Sequence, residues 1–164
     1  MHEKLLHYCA ITELGSMLRS GETTPTGLTE HFIERIEKLN GPLTAFNLVT
    51  AERAMMEAEA MEALMRSGRN LGPLHGIPYG VKDLYDVMGL PTSAGSKTVD
   101  MTVKTIESEV TKRLAAAGMI VLGKTITVEF AKGIIGINNI QGTPHNPWSE
   151  EHCLPGGSSA GTAV

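Results

Sequence analysis

The chain has 164 residues, of which 41% are hydrophobic and 20% charged, with a formal net charge of −4. That is the balance of a folded globular chain with enough length for a core. It argues against a nucleic-acid surface, because Lys and Arg are dispersed, and no apolar stretch approaches the roughly 20 residues of a membrane span.

The opening Met1-His2-Glu3-Lys4 leads into no signal-type apolar segment, since Leu5-Leu6 is broken by His7. Ile11, Leu14 and Leu18 share one helical face, and Ser20-Gly21 ends that helix. Thr24-Pro25 reads as a cap followed by proline at the first helical position. Leu28, Phe32, Ile36 and Leu39 continue as an apolar stripe that Asn40-Gly41 is expected to stop. A third helix, about Ala51 to Met65, is rich in good helix formers and ends at Ser67-Gly68. Its methionines 55, 56, 61 and 65 are expected to fill core.

From Leu71 the texture shifts to Gly, Pro and short apolar runs. Ile77 to Val81 predicts a buried strand and Tyr85 to Met88 a second one. Glu107 to Ala117 predicts a helix facing inward through Val110, Leu114 and Ala117, closed by Gly118. Met119 to Leu122 is wholly apolar, as in a strand covered on both faces. Helix followed by buried strand indicates an α/β core with some parallel pairing. Residues 131–157 form a long Gly- and Pro-rich loop, a length that usually serves a site. The expected organisation is one domain over 1–164, helical over 1–70, with an α/β core beginning at 71.

Two cysteines far apart, Cys9 and Cys153, predict no disulfide framework and a reduced, cytoplasmic setting. Cys153 lacks a histidine-bearing motif that would make it a nucleophile, and the six histidines show no metal-ligand spacing. Three stretches remain for chemistry: GPLHGIPYGVKD (72–83), GKTITVEFAKGIIGINN (123–139) and the closing PGGSSAG. The ends of strands in an open α/β sheet are where such sites form. Lys82 at a strand end is either a surface charge or a lysine buried enough to lose its proton and act as a base. Asp83 points to the other side of an extended chain. Ser158 or Ser159 is either a helix cap or part of a glycine-rich turn that opens backbone N–H groups to an anion or oxyanion.

Taken together, Gly72–Asp83, Gly123-Lys-Thr125 with Glu129-Phe130, Asn146-Pro-Trp148 and Pro155-Gly-Gly-Ser-Ser159 resemble the amidase signature family, in order and in spacing. The resemblance implies a layered α/β/α fold around a mixed, partly parallel sheet, with helices at the amino terminus. It implies a Ser–cis-Ser–Lys triad in which Lys82 is the catalytic lysine and Ser158 the relay serine that follows a cis peptide bond. Gly156, Gly157, Ser159, Thr125 and Asn138 would line the site. The nucleophilic serine would lie about two dozen residues beyond Ser158, outside the 164 residues, so the chain reads as an inactive amino-terminal portion of an amide hydrolase. No metal or organic cofactor is implied. The partners expected are a small-molecule amide and either a second copy of the chain or, in one branch, the other subunits of a tRNA-dependent amidotransferase. No direct contact with nucleic acid or membrane is expected. Where relatives often carry hydroxyls, the chain has Gly133-Ile134-Ile135-Gly136-Ile137, and Ile126-Thr127-Val128 precedes Glu129. These exchanges predict a more apolar wall and disfavour the amidotransferase A subunit, which handles glutamine. Two other readings remain. A serine-rich phosphate loop of small-molecule kinases has the wrong Leu154-Pro155 order and leaves Lys82 unexplained. A truncated, non-catalytic paralogue would act by association.

Overall fold

The computed structural model describes residues 5–149 and 151–164. The amino-terminal tetrapeptide read for targeting lies outside them. The elements run α1 (Ile11–Ser20), α2 (Pro25–Leu43), β1 (Phe46–Val49), α3 (Ala51–Arg66), β2 (Pro78–Lys82), α4 (Glu109–Ala116) and β3 (Ile120–Thr125), with short 3-10 turns at Leu6–Tyr8, Glu129–Ala131 and Ala160–Thr162. The chain divides into two compact units: Met1–Ile36, Thr50–Tyr79 and Arg113–Leu122 form the first, and Glu37–Val49, Gly80–Lys112 and Gly123–Val164 the second.

The first unit is built by helices. Gly21, with φ 77°, closes α1 in the left-handed region that glycine enters without penalty. Thr24 caps α2, its Oγ1 accepting the Gly27 N–H at 3.0 Å. Leu14, Leu18, Leu28 and Ile77 form a buried cluster against which Leu6, Cys9, Met17, Phe32, Met65 and Met119 pack. On α3 the fully buried positions are Ala54 and Ala58, whereas Met56 is exposed, so only part of the methionine set fills core.

The three strands are ordered β1-β3-β2. β1 runs antiparallel to β3, Leu48 opposite Lys124 and Val49 opposite Gly123, with an irregularity between Phe46 and Leu48. Along β2 and β3, the Ile120 N–H donates to Ile77 and the Asp83 N–H to Thr125, which is the order of a parallel pair. The sheet is therefore mixed, as expected of the fold class. Every residue of β3 is buried. A Cβ at Gly123 would sit 2.1 Å from the Leu48 carbonyl oxygen, so only glycine lets the two backbones approach this closely.

Several sequence expectations are corrected. α2 does not stop at Asn40-Gly41 but reaches Leu43, because the Asn40 amide clasps the next strand instead of ending the helix: its Nδ2 donates to the Phe46 carbonyl and its Oδ1 accepts the Phe46 N–H. β1, only four residues long, is too short to show an alternating pattern in the sequence. Tyr85–Met88 is not a strand, since the Lys82 carbonyl accepts the N–H of Leu84 and of Tyr85 and folds the chain into a turn. On α4 the buried residue is Thr111 and not Val110, which is 49% exposed. The Thr111 hydroxyl donates to the Asp86 carbonyl at 2.8 Å, and this bond turns the threonine inward.

Candidate active site

The atoms of the site all belong to the second unit. Lys82 is the last residue of β2, and the pleat sends it and Asp83 to opposite sides. Its half-buried ammonium nitrogen donates to the Ser158 hydroxyl at 2.8 Å. Burial lowers the Lys82 pKa below the ordinary lysine value, because desolvation penalises the charged amine.

Ser158 is held from its main chain. Its carbonyl accepts the Val128 N–H at 3.1 Å and the Thr127 hydroxyl at 2.9 Å. The turn before it uses two consecutive left-handed glycines, Gly156 at φ 79° and Gly157 at φ 69°. The Gly157 N–H donates to the Ile134 carbonyl at 2.7 Å. Every described peptide bond is trans, so the cis bond that the resemblance implies before Ser158 is not present; the paired glycines reverse the chain without one.

The other anticipated lining residues are placed as follows. Ser159 opens the Ala160–Thr162 turn through its carbonyl, which accepts the N–H groups of Thr162 and Ala163. The Thr125 hydroxyl meets that of Thr162 at 3.0 Å. Asn138 is buried and acts as a clasp: Nδ2 donates to the carbonyls of Gly95 and Thr127, and Oδ1 accepts the N–H groups of Ile140 and Gln141. Thr127 thus joins Asn138 on one side to Ser158 on the other. The isoleucine loop contributes main chain more than an apolar wall, since Ile134 and Ile135 are 86% and 54% exposed. Outside the site, Cys153 and Cys9 are both free thiols.

A second cluster escaped the sequence reading. The Lys124 side chain, on β3, is fully buried and bonds the Asp83 carboxylate at 2.8 Å. It also donates to the Thr92 hydroxyl at 3.0 Å and the Pro91 carbonyl at 3.3 Å, which uses all three ammonium hydrogens. Asp83 accepts as well from Asn47 Nδ2 at 2.7 Å and from the N–H and hydroxyl of Ser93. Gln141 Nε2 donates to that same hydroxyl at 2.6 Å. The signal available in the sequence was a lysine inside the run GMIVLGKTITV, an otherwise buried strand where a charge needs a partner.

A mixed sheet whose strand end sets a half-buried lysine amine against a serine in a Gly-Gly-Ser turn defines an α/β protein with a lysine–serine contact at its strand end. The chain belongs to the Amidase family, whose model matches residues 27–164. It is 38% identical to the A subunit of glutamyl-tRNA(Gln) amidotransferase from Thermobifida fusca (strain YX) over 152 residues, which is 93% of this chain and 30% of that protein. With the protein of the same name from Synechococcus sp. (strain WH7803) it shares 42% over 155 residues, 94% of this chain and 32% of the relative. The structure is similar to that of native peptide amidase from Stenotrophomonas maltophilia, with a TM-score of 0.88 and 34% identity over 96% of this chain and 33% of the amidase. The chain therefore spans about a third of the length of these relatives.

Proposed function

We propose that the protein carrying this chain hydrolyses a carboxylic amide by acyl transfer to a serine, with Lys82 and Ser158 as its proton relay. The carrying observation is the 2.8 Å contact between the Lys82 amine and the Ser158 hydroxyl, made by an amine that burial biases toward its neutral form. Neutral Lys82 takes the proton of Ser158, and Ser158 takes that of the attacking serine, for which the family resemblance gives no counterpart among the 164 residues. The alkoxide adds to the amide carbonyl, and backbone N–H groups hold the oxyanion. The proton returns through Ser158 to the departing amine, and water cleaves the acyl-enzyme. Gly156, Gly157, Ser159, Thr125 and Asn138 shape the wall around this relay, Asn138 through Thr127. The two free thiols support a reducing, cytoplasmic setting, and no helix among the described residues is long and apolar enough to cross a membrane.

Replacing Lys82 by Ala in the full-length protein is expected to lower amide turnover by about 10²–10⁴-fold with native folding retained. Unchanged turnover would refute the assignment. The 164-residue chain alone is expected to release no ammonia or amine. Hydrolysis by it that disappears in Ser158→Ala would show that the attacking group lies within these residues.

A second reading, the A subunit of a tRNA-dependent amidotransferase that frees ammonia from glutamine, is favoured by the names of the relatives at 38% and 42% identity. Under it the full-length protein co-purifies with partner subunits and prefers glutamine, whereas a free amidase acts alone.

A further inference from the structure

The Lys124–Asp83 pair lies one residue from Lys82 and has no part in the relay described above. Its features are unusual for a purely structural element. Both side chains are essentially excluded from water. A buried ion pair is a weak way to stabilise a fold, because desolvation of both charges offsets their attraction. The pair is nevertheless fully satisfied, Lys124 by three acceptors and Asp83 by Lys124, Asn47 and Ser93.

Consider Asp83 without its cation. A carboxylate next in sequence to Lys82, in surroundings of low dielectric, would act on the amine through space even though the pleat turns the two side chains apart. A nearby negative charge favours the ammonium, which opposes the desolvation that favours the free amine. Lys124 cancels that charge at 2.8 Å. The other ionic groups of the segments around this strand end are already engaged: Asp86 lies 3.9 Å from the Lys104 amine, and Glu129 accepts from the Ser96 hydroxyl. The same network also pins the backbone. The Asp83 N–H is bonded to Thr125, next to Lys124, so the residue following Lys82 is fixed through both main chain and side chain.

We propose that Lys124 is a positioning residue for Lys82, which masks the Asp83 carboxylate so that the Lys82 amine meets Ser158 without a competing negative charge. The role rests on reading Lys82 as the proton acceptor of the relay, but its test does not require turnover. Amines react with formaldehyde and a borane reductant only in their neutral form. Methylation of Lys82, measured peptide by peptide across a pH series on the full-length protein, reports how readily it loses its proton. Lys97 and Lys112 are exposed and serve as internal references.

In Lys124→Met, Lys82 methylation near neutral pH is expected to slow about tenfold relative to the references, and its midpoint to move to higher pH. In Asp83→Asn, which leaves the Lys124 charge unmatched, the midpoint is expected to move to lower pH. The double variant Asp83→Asn/Lys124→Met, which removes both charges, should return the profile to within about threefold of the parent. Midpoints that stay put in both single variants, or move in the same direction, overturn the masking role, because loss of structure alone gives no opposite-signed pair. If circular dichroism shows a single variant unfolded, the double variant decides: agreement with the parent profile supports masking, and a larger departure overturns it. A parent chain in which Lys82 titrates like Lys97 and Lys112 would instead count against the relay itself.

Discussion

The two units of the chain are held together by different forces. In the first, Leu14, Leu18, Leu28 and Ile77 meet in an apolar cluster, and the flanking Phe32, Met65 and Met119 fill the space around it. In the second, much of the interior is polar: Asp83, Lys124, Ser93, Thr92, Thr125, Thr127 and Asn138 are all buried. Apolar packing is non-directional and favours filled volume, whereas hydrogen bonds fix particular atoms at particular angles. The Lys82–Ser158 contact sits in the polar unit, where Thr127, Asn138 and Gly157 each fix the course of the chain through a directed bond. A site that passes a proton across 2.8 Å needs that kind of support more than it needs apolar bulk.

The contrast can be tested by removing from each unit the kind of contact that holds it. The larger effect belongs to Leu28→Ala. Leu28 is wholly buried, and truncation of such a leucine costs about 2–5 kcal/mol through lost transfer energy and the cavity left behind. Denaturation should show that loss, and hydrogen exchange should rise along α1, α2 and α3 together, because a cluster shares its packing. A rise confined to the turn around residue 28 would break the comparison.

Asn138→Ala is expected to cost less, about 1–3 kcal/mol, through the stranding of buried main-chain groups. The carbonyls of Gly95 and Thr127 would lose their donor, and the N–H groups of Ile140 and Gln141 their acceptor. Exchange should rise locally, at 95–96, 127–128 and 138–141, and the Val128 N–H, which donates to the Ser158 carbonyl, should lose protection with them. The same increase along α1 would show that the polar unit is not held by local, directed bonds.

The difference between the units also explains how much the sequence alone reveals. Helices α1, α2 and α3 follow from apolar spacing and from punctuation such as Thr24-Pro25 and Gly68, because non-directional packing leaves a periodic trace. β3 is legible as a continuous apolar run. β1 is not, since Phe46-Asn47-Leu48-Val49 is too short to show a period and is set in place by the Asn40 amide and by its pairing with β3. Lys82 and Ser158 can be singled out because they lie in motifs that resemble a family, and the fold brings them into contact. Asp83 is expected to turn away from Lys82, and it does, but its partner Lys124 cannot be found from spacing. A 41-residue separation carries no periodic signal, and only the pairing of β2 with β3 joins the two strand ends. The trans bond at Ser158 lies equally out of reach, since the turn is settled by the conformations of Gly156 and Gly157.

The smallest expected effect sharpens the comparison from within the apolar unit, where one buried polar group stands out. His75 is 2% exposed. Its Nδ1 accepts the Leu71 N–H at 3.1 Å, which leaves Nε2 to carry the proton and donate to the Met61 carbonyl at 3.1 Å. That is a neutral ring with a fixed tautomer. Burial lowers its pKa below 6.5, and the bond to Met61 opposes the shift only in part. The unfolded chain therefore takes up a proton at a pH where the folded chain does not. Stability from this group is complete above about 6.5, falls as pH drops through that value, and stops falling once the folded ring is protonated too. Denaturation midpoints of the parent chain should decline over that window. In His75→Gln, which keeps an acceptor and a donor but no titrating ring, the part of the decline due to His75 should vanish even though stability at pH 8 is lower overall. A parent and variant with the same pH slope would mean that the folded histidine is protonated as readily as a free one, and that the apolar unit does not exclude water from this imidazole.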